Sequence, residues 1–218
     1  VGTNGFCRKV FTCPLEDVDM KVSATMRVIA AIHQSRAVDR IMNQQIYHST
    51  ASCRRLRVMT NADLRDIAVT TGRAAGEILR RGFGTSFSVT SKEGRHNLVT
   101  EYDVACENFI VDTLRSRLPE STFIGEEGGT TSGSGPVSWV IDPLDGTVNF
   151  AHGIPIFCVS IAAVVDSDIV AGCIYHPLLD ELFAAAKGEG ATLNGQRLSV
   201  SSTSELGSSL LVTGFPYN

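Results

Sequence analysis

The sequence predicts an α+β fold, and three observations carry the prediction. Two stretches, from Thr60 to Arg81 and from Asp103 to just before Pro119, repeat apolar residues at helical spacing. The segment from 155 to 200 alternates short apolar runs with Gly, Asp and Asn turns, the pattern of an antiparallel meander. Between them lie two short apolar strands that each deliver acids into a glycine-bearing turn. Helices gathered on a mostly antiparallel sheet satisfy all three.

The first helix is expected to start at Thr60-Asn61-Ala62-Asp63, a capping side chain with an acid three residues on. Leu64, Ile67, Ala68, Thr71, Ala74, Ala75, Ile78 and Leu79 then recur on one face, and Arg80 and Arg81 suit its C-terminal end. Phe87–Thr90 alternates weakly and leads into the polar segment Ser91-Lys92-Glu93-Gly94. Leu98, Val99 and Thr100 enter the second helix at Asp103, with Cys106, Phe109, Ile110, Thr113 and Leu114 as its expected buried stripe. Ser121–Ile124 is a short strand running into Gly125-Glu126-Glu127-Gly128-Gly129, and Thr130–Pro136 reads as a polar, flexible loop.

Trp139-Val140-Ile141 forms the next strand and presents Asp142 and Asp145 across a proline, followed by Gly146 and Thr147. Strands follow at 157–165, 169–175 and 181–185. Asn194-Gly195 between Ala191-Thr192-Leu193 and Arg197-Leu198-Ser199-Val200 signals a hairpin. One more strand is expected over Ser208–Thr213.

Composition narrows the function. Of 218 residues 43% are hydrophobic, enough for a packed core. A net charge of -4 and a pI near 5.7 give no basic footprint, which argues against nucleic acid as a partner. No apolar run approaches the roughly 20 residues that span a bilayer, so no membrane association is expected. The six cysteines are scattered without C-x-x-C pairs and read as reduced thiols, with Cys106, Cys158 and Cys173 in apolar surroundings. His152 and His176 stand away from the acids in sequence and read as structural.

Residues 1–58 carry nine Lys or Arg against the four acids Glu16, Asp17, Asp19 and Asp39, with no sustained periodicity. Two expectations stand for this segment: a targeting peptide, which would place the protein in a plastid or another organelle, or translated leader before a start at Met59, which would place it in the cytoplasm. The expected division is a leader over 1–58, a metal-binding α+β domain over 59–205, and the beginning of a further α/β subdomain over 206–218.

Asp103, Glu126, Glu127, Asp142 and Asp145 all fall at element ends. Oxygen donors there suit Mg²⁺, which keeps several waters and commonly bridges to a substrate phosphate. Such acids cannot all ionise side by side without a cation. The free N–H groups after Gly146 could receive an anion.

On these residues the chain resembles the inositol monophosphatase family of the fructose-bisphosphatase-like superfamily. The run W-V-I-D-P-L-D-G-T-V-N-F-A-H over 139–152 matches that family's first motif, and L-V-T-E-Y-D (98–103), I-G-E-E-G-G (124–129), G-E-G-A-T-L-N-G-Q-R-L-S-V-S (188–201) and L-L-V-T-G-F-P-Y (210–217) follow its order and spacing. The resemblance covers about residues 60–218. It implies a layered α/β/α/β/α sandwich of the sugar phosphatase type, of which the N-terminal part and the first strand of the C-terminal subdomain are expected here.

It further implies a Mg²⁺-dependent, lithium-sensitive phosphomonoesterase that hydrolyses inositol monophosphate or a similar polyol phosphate with a metal-activated water, using two or three Mg²⁺ ions and, for the full-length parent, a homodimer. By the same resemblance Glu126, Asp142 and the Leu144 carbonyl hold the first ion, and Asp142, Asp145 and one further aspartate hold the second. Glu126 and Thr147 position and activate the water, the Gly146 and Thr147 N–H groups bind phosphate together with the cation at Asp142 and Asp145, and Lys92 and Asp103 match the catalytic loop and the support of the Thr147 hydroxyl. Glu127 is implied to stand just behind the ligands or to touch a third ion.

Family members continue into a W-D-x-A-G-type motif, whereas the single tryptophan here is Trp139. The expectation is therefore weak turnover by this chain on its own. The alternatives are a phosphatase of histidinol phosphate, galactose 1-phosphate, a bisphosphorylated nucleotide or fructose bisphosphate, and a catalytically silent form that binds metal or a full-length subunit.

Overall fold

The computed structural model describes residues 59–91 and 98–209. The expected leader over 1–58, Lys92, and the greater part of the strand expected over Ser208–Thr213 lie outside the described residues.

Helix α1 (Asn61–Gly82) starts where its cap predicts. The Thr60 hydroxyl accepts the Asp63 N–H at 3.1 Å, and the Asp63 carboxylate accepts the Thr60 N–H at 2.9 Å. Two orphan donors of the first turn are thereby satisfied. Its buried face runs Leu64, Ala68, Thr71, Gly72, Ala75, Gly76, Leu79. The small residues let the helix sit close on the sheet: a Cβ at Gly76 would stand 2.5 Å from the Tyr175 ring.

Strands β1 (Val89–Ser91) and β2 (Leu98–Thr100) pair antiparallel. They lead into helix α2 (Glu101–Arg117). Thr100 caps this helix and Asp103 is its third residue, so the helix opens two residues earlier than expected. Its buried face is Asp103, Cys106, Glu107, Ile110 and Leu114. Phe109, expected in that stripe, is 36% exposed, and Glu107 takes the inward place. Asp103, Glu107, Ile110 and Leu114 follow one another at steps of four, three and four, which leaves Phe109 on the shoulder of the face.

Among the described residues the main sheet has eight strands in the order β10-β9-β8-β7-β6-β5-β3-β4. These are β3 (Thr122–Gly125), β4 (Thr130–Thr131), β5 (Val137–Asp145), β6 (Cys158–Val165), β7 (Asp168–His176), β8 (Glu181–Ala186), β9 (Gly190–Leu193) and β10 (Gln196–Arg197). β3 and β5 run parallel; the other neighbours run antiparallel. Part of the expected loop at 130–136 is thus an edge strand. β10 is shorter than the expected 197–200 run, although Asn194 (φ 49°) and Gly195 (φ 80°) make the hairpin turn their dipeptide predicts. Leu206–Ser208 is a 3-10 turn, so Ser208, the first residue of the strand expected over 208–213, is not in a strand.

Both long helices pack on one face of the sheet, around Trp139, Ile141, Val159, Ile161 and Cys173. Burial pushes the Cys173 thiol up to about 12, so it packs as a small hydrophobe. The other face carries a smaller cluster of Ala162 and Ile174, with Val140, Cys158, Ile169 and Phe183 against it. Among the described residues no helix is long and apolar enough to cross a membrane.

Candidate active site

The site forms where β5 meets a short helix, α3 (Thr147–Ala151). In a regular strand, residues three apart point to opposite faces. Asp142 and Asp145 are three apart, yet they pair with Ser160 and Cys158 on β6, which are two apart. The extra residue is a β-bulge at Pro143-Leu144, and it turns both acids to one face of the sheet, the face away from α1 and α2. Leu144, 1% exposed, points the other way into the core.

Asp142 is 5% exposed, and its Oδ1 is buried without a hydrogen-bond partner; so is the hydroxyl of Ser160, its pairing partner. Burial first, then the nearby charges of Glu126 and Asp145, hold the Asp142 carboxyl well above the usual carboxylate range. A hydrogen bond between Asp142 and Glu126 adds to this. β3 brings Glu126 there because it runs parallel to β5 and both end at the same side: Gly125 pairs with Ile141, one residue before each acid.

Gly146 takes φ 97°, a conformation that side chains resist, and a Cβ there would stand 2.9 Å from the Ile156 carbonyl oxygen. The turn places the Thr147 hydroxyl 2.9 Å from Asp103 Oδ1 and 2.9 Å from the Leu144 carbonyl oxygen, so its one proton serves two acceptors. Asp103 is 1% exposed. Its Oδ2 accepts the Thr100 N–H at 2.8 Å and the Thr100 hydroxyl at 2.5 Å. One side of the carboxylate therefore closes the helix cap while the other faces Thr147.

Sequence reasoning passed over Glu107. It is 5% exposed and accepts the N–H of Glu127 at 2.9 Å and of Gly128 at 2.6 Å. A signal for it existed: Asp103 and Glu107 are one helical turn apart and share a face. Cys158, whose thiol lies 3.9 Å from Asp145 Oδ2, was likewise read only as a packing residue. His152 Nδ1 lies 2.8 Å from the Val148 carbonyl oxygen at the end of α3. His176 stacks on Phe157 at 6.0 Å and accepts the Leu179 N–H, and its ring borders an open pocket of about 190 Å³ that also touches Asp145, Gly146 and Asn149.

Among the described residues no group of three His, Cys, Asp or Glu side chains forms a ready cage for a metal ion. Mg²⁺ does not require one, since one or two carboxylates, a carbonyl and several waters complete its octahedron. The residues present fit that demand: Asp142 has an orphan oxygen, like charges crowd it, and the Leu144 carbonyl keeps a lone pair beyond the Thr147 hydroxyl.

The model of the inositol monophosphatase family matches residues 60–218. Inositol monophosphatase 3 of Solanum lycopersicum is 46% identical over 152 residues, covering 68% of this chain and 56% of the relative. Inositol monophosphatase of Dictyostelium discoideum is 40% identical over 154 residues, covering 69% and 57%. The solved structure of inositol monophosphatase from Anabaena (Nostoc) sp. PCC 7120 superposes with a TM-score of 0.63 at 39% identity, over 72% of this chain and 56% of that one. The chain thus spans little more than half the length of these relatives.

Proposed function

The chain belongs to the inositol monophosphatase family, and from that premise we propose that it carries the cation- and phosphate-binding site of a phosphomonoesterase acting on inositol monophosphate or a similar polyol phosphate. The observation that carries the reading is the bulged end of β5, which gathers Asp142, Asp145 and Glu126 with one buried carboxylate oxygen left unpartnered. Glu126, Asp142 and the Leu144 carbonyl would hold one Mg²⁺, and Asp142 and Asp145 would contribute to a second. When bound, the cations supply Lewis-acid polarisation of the phosphoryl group and lower the pKa of a water.

The remaining work falls to the chain. Gly146 and Thr147 N–H groups at the head of α3 orient the phosphate, and the left-handed Gly146 lets the backbone approach it. Thr147, its own proton directed to Asp103, would accept a hydrogen bond from the attacking water, and the Glu126 carboxylate would take that water's proton as oxygen adds to phosphorus; the bond to the alcohol breaks and the departing oxygen takes a proton from a solvent water. Lys92 and Glu127 belong to the same proposal, as a catalytic-loop residue and an outer support, as do two or three ions per site and a homodimer for the whole protein.

The test pairs calorimetric Mg²⁺ titration with phosphate release from inositol 1-phosphate, each repeated on Asp142→Asn. Loss of both in the variant is expected. Binding and release that survive the substitution unchanged would sink the assignment.

A further inference from the structure

We propose that Glu107 is a positioning residue that fixes the Glu126-bearing turn for cation binding; this rests on the site reading above. Glu126 hangs on a five-residue turn, 125–129, that leaves β3 and closes with the Gly125 N–H donating to the Gly129 carbonyl at 2.9 Å. Glu126 itself is exposed and hydrogen-bonds to Asp142, while the backbone of the turn is gripped by a buried carboxylate reaching over from α2. Each oxygen of Glu107 receives one backbone N–H, from Glu127 and from Gly128, the two residues directly after Glu126.

The turn's own composition fits this grip. A Cβ at Gly125 would stand 2.5 Å from the Glu107 carboxylate, and one at Gly128 would stand 2.7 Å from its Oε1. Neither glycine has a positive φ that would demand it. They are glycines because the carboxylate occupies the space where side chains would be. Glu107 stays ordered in turn because α2 holds it at 5% exposure.

A carboxylate is also the group this geometry selects. Two converging N–H donors need two acceptors; glutamine would offer one oxygen and set an NH₂ against the other donor. Asp103, one turn earlier on the same helix face, holds Thr147 in the same manner. A single helix face therefore fixes both walls of the site: one acid steers the hydroxyl, the other steers the turn carrying the cation ligand. Outer partners of this kind typically govern metal affinity by about 10–100-fold.

The experiment measures Mn²⁺ binding by electron paramagnetic resonance on the chain and its Glu107→Gln variant, with amide exchange at residues 127 and 128 and the melting midpoint recorded alongside. The expected result is Mn²⁺ affinity about tenfold or more weaker in the variant, with faster exchange at those two amides. A merely structural glutamate would lower the melting midpoint and leave affinity unchanged, and that outcome overturns the inference. Should Glu107→Gln fail to fold, Gly128→Ala perturbs the same contact from the turn side; it too must weaken Mn²⁺ binding, and equal affinity overturns the inference. If the unsubstituted chain binds no Mn²⁺, the site reading fails and takes the inference with it, whereas parent binding with an indifferent variant refutes the inference alone.

Discussion

Replacing Thr147 by valine exchanges a hydroxyl for a methyl of nearly the same shape and leaves Asp103 Oδ1 without its donor. The lost bond is 2.9 Å long and ends on a carboxylate that is 1% exposed, so water cannot readily take its place. Hydrogen bonds to charged groups contribute about 1.5–3 kcal/mol net. In a chain of this size each kcal/mol moves the melting midpoint by about 2–4 °C, so Thr147→Val should melt about 3–12 °C lower. Thr147→Ser keeps the hydroxyl and should recover most of the loss. The assay is urea and thermal denaturation of Thr147→Val, Asp103→Ala and the double variant without divalent cation. The cycle should show a coupling of about 1 kcal/mol or more. A valine variant within about 0.5 kcal/mol of the parent, with additive single effects, would refute the claim that this bond holds the site together.

Asp142 makes the cation-free fold pH-sensitive. Its folded-state pKa is raised, chiefly by burial and then by Glu126 and Asp145, so the folded chain keeps a proton that the unfolded chain has released. Stability without cation is then full below the ordinary carboxylate range and falls as pH climbs through it toward the raised value. Asp142→Asn should flatten that fall, and urea midpoints across pH that decline equally in both proteins would contradict it. Gly76→Ala gains about 0.8–1.0 kcal/mol of helix propensity but sets a Cβ 2.5 Å from a Tyr175 ring already held by Arg73 and Asp180. Overpacking at about 1–3 kcal/mol should win, so a midpoint at or above the parent's would show that α1 can lift off the sheet cheaply.

What the sequence made legible, and what it hid, follows the range of the interactions involved. The start of α1 could be read because Thr60 and Asp63 satisfy each other within one turn. The turn at Asn194-Gly195 could be read because its φ angles are a local demand. The acids Glu126, Asp142 and Asp145 could be singled out as candidates because glycines and strand ends frame them in the chain itself. The pairing of β1 with β2 escaped notice, since three-residue strands are too short to show a period. Glu107 was easily missed because an acid in mid-helix, even one turn from Asp103, reads as a solvated face until its donors, 20 and 21 residues away, are known. Phe109 misled for the complementary reason: its apolar ring matches the helical period, yet a buried acid occupies the inward position.

The bulge at Pro143-Leu144 changes what counts as a defect in a strand. Proline within a sheet is ordinarily a loss, because it has no N–H to give the neighbouring strand. Here that missing bond sits between the two carboxylates, where the ladder must break for an odd spacing to act as an even one. Without that interruption the same spacing of three would keep both acids in the chain, yet it would send one of them to the opposite side of the sheet. The motif therefore encodes arithmetic as much as chemistry: a spacing of three with an interruption inside it is worth a spacing of two.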